Sequence, residues 1–205
     1  INQLIIGFNM EPIILASSSP RRQEILTKLG VPFRVIMPEI DETIPENMEP
    51  EVIAELFATK KVDAVMRTIP SGQIVPWIFG ADTIIVLNGK VYGKPENQEQ
   101  AAEFLNEFSG REQTVISAMA LFNGKLNYLS TRINKTKVRF SKMSAEEIEW
   151  YVNTGEWHGA AGGYRVQGMA SCFIEHIEGS YSSIIGLPIF EFYDILKEQG
   201  YSILE

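Results

Sequence analysis

The sequence predicts an α/β fold in which a mixed central β-sheet is flanked by helices. Three observations carry this. Strand-like and helix-like segments alternate through the front of the chain, the mark of parallel βαβ construction. Two Asn-Gly pairs, at 88–89 and 123–124, interrupt β-rich runs and signal hairpins between antiparallel strands. Helical patterns with start and stop signals return towards the end, so the sheet is neither purely parallel nor uncovered.

Taken in order, PIILA reads as a short buried strand. Ser19 suits an N-cap and Pro20 a first helical position, so a helix is expected over 20–29, closed by Gly30. VPFRVIM is a second strand, and EIDETIPENMEP an acidic, proline-bearing loop. A helix over 50–67 ends at the turn TIPSG. WIFGADTIIVL is a long strand that turns at 88–89 and returns through KVYGKP. A helix over 96–108 leads to TVISAMALF and KLNYLSTRINKTKVRF, which supply two or three more strands. Ser144 and Glu147 form a capping box for a helix over 145–153. GEWHGAAGGYRVQG is a glycine-rich loop and MASCFIEHI a strand, and SYSSIIGLPIFEFYDILKEQG finishes with a helix.

The 205 residues show no repeat, linker or low-complexity tract, which fits one domain. Met10 is a candidate start, so residues 1–9 are expected to be an extension and 10–205 a single catalytic domain. With 45% hydrophobic and 21% charged residues the composition is that of a soluble globular protein. No apolar run approaches the roughly 18 residues of a membrane span. A single cysteine, Cys172, excludes a disulfide framework and fits a reducing compartment. It lies in an apolar run and is expected to be an inert core residue. The net charge of −8 argues against a nucleic-acid partner. It also requires any anionic ligand to be met by concentrated local positive charge.

SSSPRR is where such charge collects. A helix start carries partial positive charge and favours acids in its first turn, yet Arg21 and Arg22 stand there. Free backbone N–H groups, Ser17, Ser18 and Ser19 hydroxyls and two arginines make an anion site for phosphate. The alternative is a solvated arginine pair. No G-x-x-x-x-G-K-[ST] pattern occurs, so this is not a P-loop. In the helix over 50–67, an apolar stripe through Ile53, Leu56, Phe57 and Ala64 places Lys60 inside it and Lys61 at its edge. Lys60 either snorkels or points into a cleft that holds an anion. Asp82 interrupts an apolar strand and needs a cation, a metal or several donors. The hairpin register sets residue 82 opposite about residue 95, which brings Lys94 beside Asp82. Asp41 and Glu42 either face solvent or join Asp82 around a divalent cation. Zinc is disfavoured, because His158 and His176 are isolated and read as structural. Gln167, presented with Tyr164 and Arg165 on the glycine-rich loop, has an amide suited to a base edge.

ILASSSPRRQEIL, GADTIIVLNGKVYGKP, YRVQG and GSYSSIIGLP, in this order from about Pro12 to the last helix, resemble the Maf family of nucleoside triphosphate pyrophosphatases. The resemblance implies an elongated two-lobed fold of the Maf and ITPase kind, with the nucleotide in the cleft between lobes. It implies a homodimer, a cytoplasmic setting, and a divalent cation, Mg²⁺ or Mn²⁺, held by Asp82 and Glu42. The implied reaction cleaves between the α- and β-phosphates, which clears unwanted nucleotides, with a link to arrested division or septum formation. Residue by residue it makes Asp82 the proton acceptor and assigns catalytic roles to Lys60 and Glu42. It assigns substrate binding to Ser17, Arg21, Arg22 and Lys94. Arg21, Thr83 and Gln167 match the branch that prefers dTTP and UTP. The sequence departs from the family where many members read D-K-A-G. Here Gly159, Ala160, Ala161 and Gly162 stand instead, and Arg165 or His158 is expected to compensate. That departure leaves a rival reading, a nucleotide-binding regulator with little turnover.

Overall fold

The computed structural model describes residues 10–45, 47–70, 72–73 and 77–204; the expected extension over 1–9 lies outside them. Among the described residues, seven strands form one mixed sheet: β1 (Ile13–Ala16), β2 (Phe33–Ile36), β3 (Trp77–Leu87), β4 (Lys90–Tyr92), β5 (Glu112–Asn123), β6 (Tyr128–Phe140) and β7 (Ile174–Glu178). The helices are α1 (Pro20–Lys28), α2 (Pro50–Arg67), α3 (Gln98–Phe108), α4 (Ala145–Asn153), α5 (Tyr181–Ile185) and α6 (Ile189–Glu198). The strand order is β2-β1-β3-β5-β6-β7. β2, β1 and β3 run parallel, as the alternation at the front of the chain predicts, and β3, β5, β6 and β7 run antiparallel.

β3 is the spine. β5 covers one of its edges from Trp77 to Val86. The other edge is shared. β1 pairs with residues 78–80, and β4, returning through the Asn88–Gly89 turn, pairs with residues 85–87. Residues 81–84 are left without a strand partner on that edge. Both residues of the turn have positive φ, 51° and 79°, as a two-residue hairpin requires.

Two hydrophobic cores flank the lobe built on the parallel strands. α1 and α6 bury Leu26, Phe79 and Phe192 on one face, and α2 buries Phe57, Val62 and Ile78 on the other. A second lobe packs α3, α4 and the glycine-rich loop around Phe108, Phe140, Tyr151 and Tyr164. The unpaired stretch of β3 lies where the two lobes meet.

Three local expectations change. The Asn-Gly pair at 123–124 does not make a two-residue hairpin, because β6 begins only at Tyr128. The Asn123 carboxamide oxygen accepts from Lys125 N and Leu126 N, which widens the turn. MASCF forms a 3₁₀ turn before β7, and Cys172 on it is exposed rather than buried in the core. The last helix is broken in two. Gly186, at φ 116°, closes α5 through N–H bonds to Ser182 O and Ser183 O, and Pro188 starts α6 afresh. Among the described residues, no helix is long and apolar enough to cross a membrane.

Candidate active site

The cleft at the unpaired stretch of β3 is a cavity of about 250 Å³. It is lined by the end of β1, the first turn of α1, the middle of β3 and the glycine-rich loop. β1 delivers Ser17 to it, and the chain turns directly into α1. No side chain caps α1 and no acid lies in its first turn, so the N-terminal N–H groups stay available. Ser17 Oγ accepts from Ser19 N and from Arg22 Nη1, both at 3.1 Å. Its own proton is therefore the one left to donate into the cleft.

Arg22 is only 7% exposed. Each nitrogen of its guanidinium donates within the protein: Nε to Gly186 O at 2.8 Å, Nη1 to Ser17 Oγ, and Nη2 to Thr83 Oγ1 at 3.3 Å. Burial works against its charge, and the nearby Asp82 carboxylate favours it. The last of these bonds starts a chain of fixed direction. Ser117 Oγ donates to Ser183 O at 2.8 Å, so Thr83 Oγ1, 2.7 Å away, must donate to Ser117. Thr83 has thus spent its proton and presents only acceptor capacity to the cleft.

Asp82 and Thr83 point to opposite faces of β3, as successive strand residues do. Asp82 faces α2, which approaches closely because position 80 has no side chain. A Cβ on Gly80 would lie 2.6 Å from Ala58 O and 2.9 Å from Val62 Cγ2. The buried positions of α2 are Ile53, Ala54, Phe57, Ala58, Lys61, Val62 and Val65. At about 100° per residue these make one stripe with Lys61 at its centre. Lys61 Nζ lies 2.5 Å from Asp82 Oδ1 and 2.9 Å from Glu42 Oε1. The expectation for Lys60 is corrected here: it lies half-buried at the edge of the stripe beside Ile53, with Nζ 5.6 Å from the Phe57 ring centroid, and Lys61 takes the central place. The stripe read through Leu56 and Ala64 was rotated, because both are only half-buried and the true centre follows the small residues Ala54 and Ala58.

Lys94 also differs in detail. The ladder continues the register that sets residue 82 opposite 95, but it stops at Tyr92, and Asp82 pairs with Ala118 on β5 instead. Lys94 Nζ meets Glu42 Oε2 at 3.2 Å. Burial pushes the Glu42 carboxyl up, but Lys61 and Lys94 outweigh it and hold it below the ordinary carboxylate range. Asp41 stays outside, its Oδ1 accepting from Thr43 N and Thr43 Oγ1. No group of three or more His, Cys, Asp or Glu gathers to hold a metal among the described residues. Glu42 and Asp82 nonetheless converge on one cation, Lys61. Two carboxylates are what Mg²⁺ takes when phosphate and water supply its other oxygens.

The far wall is the glycine-rich loop. Gly159, Ala160, Ala161, Tyr164, Arg165 and Gln167 line it. Gly162, at φ 65°, lies over Ile85, where a Cβ would come within 2.4 Å of Cδ1. Arg21 crosses the cleft, Nη2 donating to Gly159 O at 2.9 Å. His158 is stacked on Trp157 with Nδ1 2.7 Å from Gly155 O and is not part of the cleft lining, which leaves Arg165 as the loop's charge there. His176 sits on β7, opposite Arg139. The structure therefore gathers Ser17, Arg21, Arg22, Glu42, Asp82, Thr83, Lys94 and Gln167 around one cleft, adds Lys61, and leaves Lys60 aside.

The family model described as "Maf-like protein" matches residues 12–199. The dTTP/UTP pyrophosphatase of Pelotomaculum thermopropionicum is 40% identical over 195 residues, covering 95% of this chain and 100% of that protein. The dTTP/UTP pyrophosphatase of Symbiobacterium thermophilum is 42% identical, covering 95% of this chain and 97% of that one. The structure of the Staphylococcus aureus Ham1 protein superposes with a TM-score of 0.48 at 10% identity, covering 92% of this chain and 100% of that one. Its sequence and the extent of the match place this chain in the Maf family.

Proposed function

We propose that the chain hydrolyses dTTP and UTP to the nucleoside monophosphate and pyrophosphate. One observation carries the reading. An uncapped helix start with two arginines faces a Lys61–Asp82–Glu42 cluster across a single cleft, in a chain closely related to enzymes so named.

In this reading the triphosphate lies along the start of α1. Ser17 donates its remaining proton to a phosphate oxygen, and Arg21 and Lys94 leave their protein partners for others. Arg22 fixes Ser17 and Thr83 and adds charge from below. Asp82 takes the proton of the attacking water while the water oxygen bonds to the α-phosphorus. The bond from that phosphorus to the bridging oxygen breaks, and pyrophosphate leaves with the electron pair. Lys61 engages Asp82 Oδ1, so the second carboxylate oxygen receives the proton. Glu42 and Asp82 would hold the divalent cation, which supplies Lewis-acid stabilisation of phosphoryl charge when bound. Arg21, Thr83 and Gln167 would select the base, with Thr83 restricted to accepting.

Phosphate release over dTTP, UTP, CTP, ATP, GTP and 7-methyl-GTP, with Mg²⁺ or Mn²⁺ and with or without added inorganic pyrophosphatase, tests this. Release from dTTP and UTP that depends on the added enzyme is expected. Tight binding with no release would sink the reaction. The homodimer and the cytoplasmic setting belong to the same reading, and light scattering of the purified chain tests the first.

A further inference from the structure

Arg165 carries a charge for which the proposed reaction has as yet no use. It lies on the wall of the cleft, between Tyr164 and Gln167. Its backbone N donates to Tyr151 Oη at 3.2 Å, which anchors the residue to the second lobe. Its Nη2 donates to His158 O at 2.9 Å, and its Nε is buried with no acceptor. Arg21, from the first lobe, donates to the very next carbonyl, Gly159 O. The two guanidinium groups thus hang on adjacent carbonyls of one loop. Neither has a carboxylate partner among the described residues, although the chain holds twenty-six Asp and Glu.

Neutral carbonyls do not cancel two cations held together. Burial, and then the charge of Arg165, lower the pKa of Arg21. A buried donor without an acceptor adds to the cost of this arrangement. A polyanion arriving between the two side chains would remove both penalties at once, since guanidinium pairs well with phosphate oxygens. A binding group that is poorly satisfied without ligand gains more when the ligand arrives.

We propose that Arg165 is a further substrate-binding residue, closing with Arg21 from opposite walls on the β- and γ-phosphates of the nucleotide. The proposal rests on the reading of the site as a nucleoside triphosphate site. Binding of the substrate transfers both guanidinium groups from the carbonyls of His158 and Gly159 to phosphate, so the loop is released as the substrate is clamped.

Calorimetric titration with dTMP, dTDP and the α,β-methylene analogue of dTTP tests it on the wild type, Arg165→Gln and Arg165→Lys. The Gln variant should bind the triphosphate analogue about ten-fold more weakly, dTDP less so, and dTMP within about two-fold of wild type. Lys should restore part of the loss. In turnover, kcat/KM for dTTP should fall about ten-fold in Arg165→Gln, through a raised KM and also through a lower kcat, because the β- and γ-phosphates it holds leave with the electron pair. An equal loss for all three nucleotides, or none, overturns the assignment. If wild type binds the analogue but releases no pyrophosphate from dTTP or UTP, the reaction falls and the binding series still judges Arg165. If wild type turns over dTTP and the series is flat, only Arg165 falls. A wild type that binds none of the three overturns both.

Discussion

Lys61 Nζ lies 2.5 Å from Asp82 Oδ1, so a helix cation and a strand acid, 21 residues apart, are locked together beneath the cleft. Both are largely buried, with side chains 8% and 11% exposed. A buried pair of this kind is costly to break from one side, because the survivor keeps its charge and loses its partner.

Asp82→Asn keeps the shape and removes the proton acceptor. Its kcat on dTTP should fall by about 10²–10⁴, the usual contribution of a positioned base. Glu42 still meets Lys61, so the variant should fold with a lowered melting temperature. Turnover at the wild-type rate would remove Asp82 from the chemistry.

The two neighbouring lysines should behave differently. Lys61→Ala leaves Asp82 and Glu42 facing each other without their shared cation, and kcat/KM should drop by at least about 10². Lys60→Ala removes a side chain that lies over Phe57 and should change kcat/KM by less than about two-fold. The reverse result would restore the stripe read through Leu56 and Ala64.

That stripe shows where sequence reasoning reaches its limit. The alternation of strand and helix at the front, the Asn88–Gly89 hairpin and the capping box at Ser144 rest on local rules, and all three are present. The cleft residues were legible because charge at a helix start and an acid in an apolar strand conflict with their surroundings. Which face of α2 is buried depends instead on the missing side chain at Gly80, a tertiary partner invisible from within the helix. The weight of Arg22 on Thr83 and Gly186 is equally non-local, spanning 61 and 164 residues. Even so, a run with two small residues four apart, Ala54 and Ala58, was a usable signal for the close-packed side.

Gly80→Ala tests that packing. The new methyl would press on Ala58 O and Val62 Cγ2, and backbone cannot swing aside as a side chain can. The cost should be about 1–3 kcal/mol in urea unfolding, as for other overpacked cores. Because α2 carries Lys61, kcat should fall as well. A neutral change in both would show that α2 has room to retreat.

Arg21 and Arg22 divide their labour by burial. Arg22→Ala strands Ser17, Thr83 and the Gly186 carbonyl together. It should lower the melting temperature and weaken every nucleotide to a similar degree. Among the described residues Arg21 donates a side-chain hydrogen bond only to Gly159 O, and its replacement by Ala should be nearly neutral for stability. Its replacement should reorder the ranking of dTTP, UTP and CTP by kcat/KM. An unchanged ranking would remove Arg21 from base selection.

Tyr201 provides a pH test away from the cleft. Burial, and then the Glu11 carboxylate, push its hydroxyl up from 10.0 to about 12. It also donates to Glu11 O at 2.8 Å. Between those two pH values the folded protein keeps a proton that the unfolded chain has released. Stability from this group is therefore complete below pH 10 and drains away as pH rises towards 12. Phe cannot titrate and lacks the hydrogen bond. At pH 7 the wild type should be ahead of Tyr201→Phe by about 0.5–1.5 kcal/mol, the net worth of one such bond. That lead should shrink steadily above pH 10 when both proteins are unfolded in urea at each pH. A gap that stays constant up to pH 12 would mean that the Tyr201 hydroxyl titrates alike in both states.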